Sequence, residues 1–462
     1  MSNNINDTEA RLGLDNTASE QQTSTISSTK PKRATFRSVL AQPAVRALWL
    51  ASLISYIGDT FGIMALFIMV NHVTHSTVAL ATVGVVQTLP LLFTLVAGVL
   101  VDRWRYRPVL WAADLIRAAL LPLYLLFQSP DDLWIVLAVT LAVSISSRFF
   151  FPASTALRRA LLRPEEYPVA AALWQATYGA SYVVGPALAG LLIASFGSNV
   201  QMGIAAAFLL DSLSFAISAL LIFVLVREEA QAVDAARQAE ERPRALADLQ
   251  EGWRIMWRSK PIRGVVTLYG VGLLGVGAVF VLTVPYVQRL FNGGPLEIGL
   301  LEASQAFGLA AGATAVGTVL ARKLPPGQLM LLASLVGGMS VVALGLVPVY
   351  IGALLVMCIA GGAAGAVESA GAAVIAHEIP QRHQGKGNAS INTLLNASYL
   401  TSIALSGIGG ELLGIRGTFI IGGAVALAGV LLAFPLLGSR QNDTSHLGND
   451  LVGEARGTGE AI

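Results

Sequence analysis

Roughly twelve apolar stretches, each about twenty residues or longer, follow one another from near Val45 to near Leu437, and each is long enough to cross a bilayer as a helix. A helix is the only open-chain element that satisfies its own backbone in hydrocarbon, so the pattern predicts an all-α polytopic membrane protein. Composition agrees: 54% of the 462 residues are hydrophobic, 13% are charged, and mean hydropathy is +0.65. A formal net charge of +2 gives no reason to expect a nucleic-acid partner. The one cysteine, Cys358, lies in an apolar run and reads as a small packing residue, which rules out a disulfide or a thiolate metal site.

Turn and charge signals place spans near 47–71, 78–101, 108–128, 133–157, 168–196 and 201–226, then near 262–288, 297–321, 328–348, 350–376, 390–413 and 417–437. Most of the 30 Lys and Arg fall on the side that holds both ends of the chain, while the opposite loops hold only Arg289 and Arg416. Retention of positive charge inside therefore predicts cytoplasmic termini in a cell (inner) membrane. The expected organisation is a disordered cytoplasmic tail over 1–44, six-helix bundles over 45–226 and 262–438, a cytoplasmic linker over 227–261, and a second disordered tail over 439–462. In the linker Leu246, Leu249, Trp253 and Trp257 stand at helical spacing beside Arg254 and Arg258, which predicts an amphipathic helix on the membrane surface.

The halves repeat. Ser181, Tyr182, Ala187, Leu188, Gly190 and Gly197 recur as Ser398, Tyr399, Ala404, Leu405, Gly407 and Gly414, a constant offset of 217, and Gly98 and Arg103 recur as Gly317 and Arg322. Six spans per copy is an even number, so the copies enter the membrane in the same direction. Such a parallel repeat puts a substrate cavity between two bundles near the midplane.

Spans two and three are joined by Gly98-Val99-Leu100-Val101-Asp102-Arg103-Trp104-Arg105-Tyr106-Arg107. Gly98 allows close helix approach, Asp102 suits the positive N-terminal end of a neighbouring helix, and Arg103 and Arg107 suit water or acidic partners. This run resembles the inner-gate loop motif of the major facilitator superfamily. It departs from that motif at Arg105 and Tyr106, and Ala321 replaces the acid in the second half. Gly179, Gly185, Pro186 and Gly190 in span five are similar to the glycine and proline motif of the superfamily's antiporters, and a proline bend there could act as a pivot. Gly58 and Asp59, Asp114 and Arg117, Phe151 to Ala153, and Asp211 to Phe215 resemble the drug and siderophore exporter branch, with its macrolide and enterobactin exporters. The resemblance implies twelve helices in two bundles, alternating access, a loop motif that latches the outward-open state, and export by proton antiport.

An ionisable side chain at membrane depth costs roughly 2.5–3.5 kcal/mol on insertion scales, so each needs a partner, a wet cavity or a task. Asp59 lies about twelve residues into span one, roughly 18 Å along the axis. An acid in one half only, at the depth of the expected cavity, is the first candidate for proton coupling. Arg148, where the superfamily often carries an arginine linked to proton transfer, and Glu368 join it as candidates, with Arg148 expected to pair with Asp59 or Asp114. Asp114 and Arg117, three apart on one helix face, are expected to pair with each other. Asp211 reads as structural, and Glu302 and Glu411, near the outer ends, as snorkelling or capping residues. His72, His75, His377 and His383 form no metal-like cluster, and no phosphate-cradling loop is present, so no metal, cofactor or ATPase chemistry is expected. The chain reads as a monomeric transporter, not an enzyme, whose partners are a small-molecule substrate, protons and lipid. An importer or uniporter of the same fold, or a receptor or scaffold that keeps it, stays open at this point.

Overall fold

The computed structural model describes residues 35–101, 103–226, 253–254, 257, 259–379 and 384–437. Twelve helical rods succeed one another among them. In the first half these are α1 (Pro43–Thr74), α2 (Thr77–Thr88, continued through a 3-10 turn, Leu89–Phe93, into Thr94–Val101), α3 (Tyr106–Leu120), α4 (Leu133–Leu161), α5 (Tyr167–Ser195) and α6 (Val200–Leu225). In the second they are α7 (Lys260–Phe291), α8 (Pro295–Thr318), α9 (Pro326–Leu346), α10 (Tyr350–Glu378), α11 (Gln384–Leu412) and α12 (Gly414–Leu437).

Ten of the rods are long and apolar enough to cross a membrane. The two that miss the criterion have physical reasons to. In α2, Pro90 supplies no N–H to the helical ladder, and the rod tightens into the 3-10 turn. In α11, 29 residues long, Asn392, Thr393 and Asn396 break the apolar run because they line the central cavity. The expected boundaries differ most at the end of α3, where the α-helix gives way to a 3-10 turn (Leu121–Leu126), at the start of α11 and ahead of α1. A capping box of Thr35 and Ser38 starts a short helix, Phe36–Ala41, so the last part of the tail expected to be disordered is helical instead. Residues 1–34 of that tail, the C-terminal tail and most of the linker lie outside the described residues. Trp253, Arg254 and Trp257 are helical, and Trp257 is exposed.

The duplication shows in the backbone. Among the described residues two non-glycine positions have positive φ, His75 (49°) and Asn292 (53°), and they end α1 and α7 at the offset of 217. Two glycines do as well, Gly197 (60°) and Gly414 (71°), at the same offset and at the ends of α5 and α11. Asn71 and Gln288, again 217 apart, hydrogen-bond to each other where α1 meets α7.

The two halves meet through α5 on α8 and α2 on α11. We call the end where α6 stops and α7 starts the linker end, and the opposite one the far end. At the far end Gly190 of α5 lies against the Pro295 carbonyl and Leu296, and Gly299 of α8 against the Pro186 carbonyl. The pseudo-equivalent Gly407 of α11 lies against Thr77 and Ala81 of α2 and accepts a hydrogen bond from Thr77 Oγ1 at 2.8 Å. Small residues permit this backbone-to-backbone approach. At the linker end of α2 and α8 the situation is reversed: a Cβ added to Gly98 or to Gly317 would meet nothing within 4 Å. The close approach expected at Gly98 is thus not made, because in this state the bundles converge at the other end.

Candidate functional site: a charged cavity between the bundles

A cavity of about 500 Å³ lies between the halves, roofed by the far-end contacts and extending toward the linker end along the second half of α2 and the first turns of α11. Its N-terminal wall carries the charges. Asp59, at the middle of the 32-residue α1, lines the cavity, and its carboxylate lies 3.3 Å from Arg117 of α3. Arg117 is 1% exposed and also pairs with Asp114, itself completely buried, which accepts a hydrogen bond from Ser218 of α6. The guanidinium is held between two rings, 4.9 Å from the Phe150 centroid and 4.2 Å from that of Phe215. The spacing of Asp114 and Arg117 on α3 makes their pairing local. Bringing Asp59 to them takes the packing of α1 and α3 around α6.

The geometry separates the three carboxylates. Asp114 is sealed in. Asp59 keeps about a third of its side-chain surface open (34%), on the cavity wall. Asp211 of α6 also borders the cavity but is buried, accepts a 3.4 Å contact from Ser214, and fits against α1 only because Gly58 and Gly62 leave room for it.

Arg148 of α4 lines the same cavity, but none of the ion pairs among the described residues includes it, and its Nε has no hydrogen-bond partner. Arg148 does not make the expected pair with Asp59 or Asp114; Arg117 reaches both acids at once from α3. Glu368 is exposed on α10 and does not line the cavity, so the structure does not bring it to Asp59. In the loop motif Asp102 lies outside the described residues and Arg103 is exposed. Arg107 donates to the carbonyls of Ile222 and Phe223 and stacks 5.4 Å over the Phe223 ring. Its partner among the described residues is the negative C-terminal end of α6. In the α5 motif Gly185 packs on Thr60 of α1, Gly190 closes the far end, and Gly179 borders open space.

Other contributors are named by the sequence without their partners. Tyr178 and Tyr182 share a hydrogen bond of 2.8 Å, and Tyr56 meets Tyr178 edge-on at 5.3 Å, which gives the cavity a tyrosine wall. Glu411, expected to snorkel or cap, caps a helix of the other half: its Oε1 accepts from Ser76 Oγ and from the Thr77 backbone N–H, both at 2.9 Å, at the start of α2. Arg289 donates to the carbonyl of His75 across the same end.

This far-end seal makes two predictions. Replacing Gly190 by Leu drives a side chain into the Pro295 carbonyl, so spin labels at His72 and Leu413, one in each half, should move apart in a distance measurement. Glu411→Gln removes a carboxylate cap worth about 0.5–2 kcal/mol, and the same labels should show the closed-to-open ratio falling by about 2- to 30-fold. Unchanged distances in both variants would mean that these contacts do not hold the far end shut.

The profile of the Major Facilitator Superfamily matches residues 48–361 and 282–451. Macrolide efflux protein A of Streptococcus pyogenes is 24% identical over 404 residues, covering 84% of this chain and 95% of that protein. The enterobactin exporter EntS of Shigella boydii serotype 4 is 28% identical over 421 residues, covering 86% and 93%. Among solved structures, a bacterial homologue of the iron transporter ferroportin in an inward-facing state superimposes with a TM-score of 0.67 at 17% identity, over 85% of this chain and 97% of that one.

Proposed function

Because the chain belongs to the Major Facilitator Superfamily and is a multi-pass membrane transporter, we propose that it exports a small amphipathic compound in exchange for protons, with Asp59 as the coupling acid. The names of the efflux relatives support the direction and the substrate class. The observation that carries the coupling is the partly open carboxylate of Asp59 on the cavity wall beside an arginine that has a second, sealed partner.

That second partner matters. Removing the only counter-charge of a buried ion strands the other, at a cost of several kcal/mol. Here Asp59 can take up a proton while Arg117 keeps Asp114, so protonation changes the charge of the cluster without orphaning the guanidinium. The unprotonated cluster of Asp59, Arg117 and Asp114 carries one net negative charge, and the protonated one carries none. A proton and a substrate that favour opposite charge states of one cluster exclude each other, which is the thermodynamic content of antiport.

With the termini in the cytoplasm, as the Lys and Arg distribution suggests, the cavity faces the cytoplasm and the α2–α11 and α5–α8 contacts seal the outside. In the proposed cycle the substrate enters from the inside and the halves rock. A proton from outside then neutralises Asp59 and favours release, and proton loss to the cytoplasm resets the site. Efflux from a pump-deficient host, measured against macrolides, dyes and siderophores, tests this reading. Lower accumulation of at least one compound, reversed by dissipating the proton gradient, is the expected result. Accumulation that rises on expression would make the protein an importer.

A further inference from the structure

A second hollow of about 240 Å³ lies on the other side of the cavity wall, between the 3-10 turn of α2 and the adjoining face of α4. It is lined by Leu89, Pro90, Phe93, Leu141 and Ile145, with Arg148 as its one polar residue. Phe93, Leu141 and Ile145 are exposed, so in a membrane the groove faces hydrocarbon.

The wall between the two spaces is one helix thick. On α2, Leu91 and Leu92 face the cavity while Leu89, Pro90 and Phe93 face the groove. On α4, Ser144, Ser147 and Phe151 face the cavity while Leu141 and Ile145 face the groove. Arg148 lines both, and its buried Nε lacks a partner. A bare acyl chain in the groove would leave that donor unsatisfied, at a cost of about 1–3 kcal/mol. A molecule with an apolar arm and an acceptor oxygen offers the guanidinium, which lines both spaces, a partner instead.

We propose that the α2–α4 groove is a subsite for the apolar arm of the transported compound, and that Arg148 binds an acceptor oxygen where the arm joins the rest of the molecule. The inference rests on the exporter reading for the identity of its ligand, and it adds a route by which an amphipath reaches the cavity from within the bilayer. Arg148 is then a specificity residue.

The test uses purified full-length protein in detergent, with no gradient, and a neutral fluorescent series of N-alkyl dansylamides from ethyl to octyl. The sulfonyl group supplies the acceptor oxygen. Each methylene that enters the groove should tighten binding by up to about fourfold. Ile145→Trp and Leu141→Trp, both on the lipid-facing side, fill the groove. Each should weaken octyl binding by at least about tenfold while ethyl binding stays within about twofold, which also reports that the variant is folded. Arg148→Gln should weaken every member alike. An octyl-to-ethyl ratio that neither Trp variant changes, or a series that does not bind at all, overturns the proposal. Asp59→Asn should leave the chain-length dependence intact, so a failure of proton coupling and a failure of the groove are told apart.

Discussion

In proteoliposomes carrying Asp59→Asn, efflux driven by an imposed pH gradient is expected to fall to the level of protein-free vesicles, while exchange of labelled for unlabelled substrate without a gradient continues. Asparagine keeps the shape and most of the hydrogen bonding of the aspartate, but it cannot carry a proton across the alternation of the two halves. Arg117 keeps Asp114 in this variant, so the fold should be little disturbed. Asp59→Glu restores a titratable group on the same wall and should recover part of the pH-driven flux. The contrast separates coupling from binding, because a residue that only shaped the cavity would lose both activities together.

A loss of stability is expected from Arg117→Leu, on the order of 3–5 kcal/mol, read as a lower melting temperature in detergent. The change leaves Asp114, which is completely buried, with Ser218 as its remaining hydrogen-bond donor, and it removes the cation held between Phe150 and Phe215. Arg117→Lys should recover little, since an ammonium lacks the planar fork that reaches two carboxylates at once. Replacing both members, Asp114→Leu with Arg117→Leu, should restore much of the melting temperature, because an apolar pair of similar volume costs less than a stranded charge. A melting temperature that stays at the wild-type value in Arg117→Leu would show that the pair contributes nothing to the fold.

What could be read from the residues in order was whatever is periodic or local. Apolar runs gave the rods, and the offset of 217 anticipated a symmetry that now shows in matched left-handed helix ends at His75 and Asn292 and at Gly197 and Gly414. The Asp114 and Arg117 pair was legible because three residues is less than one helical turn. Asp59 could be given a depth but not a partner. Depth follows from counting along one helix, whereas the partner depends on how α1 and α3 are rotated about their axes, and α1, apolar all round, does not disclose its rotation. For the same reason Arg148 was expected beside acids that Arg117 holds instead, and Glu368 was included although it does not line the cavity. The linker-end loop motif drew attention by its charges, yet in this state the described contacts that join the halves are glycines against backbone and a few far-end hydrogen bonds, from Asn71 to Gln288, from Arg289 to His75, and from the start of α2 to Glu411 and Gly407. Small residues recur throughout membrane helices, so their role emerges only when two backbones are seen to meet.

The most direct test of the account is the proton itself. Purified protein in weakly buffered solution, mixed with the compound identified by the efflux panel, should release protons on binding in the wild type and none with Asp59→Asn. Binding without release, or release that persists when Asp59 is replaced, would contradict a cluster in which this carboxylate trades a proton for the substrate.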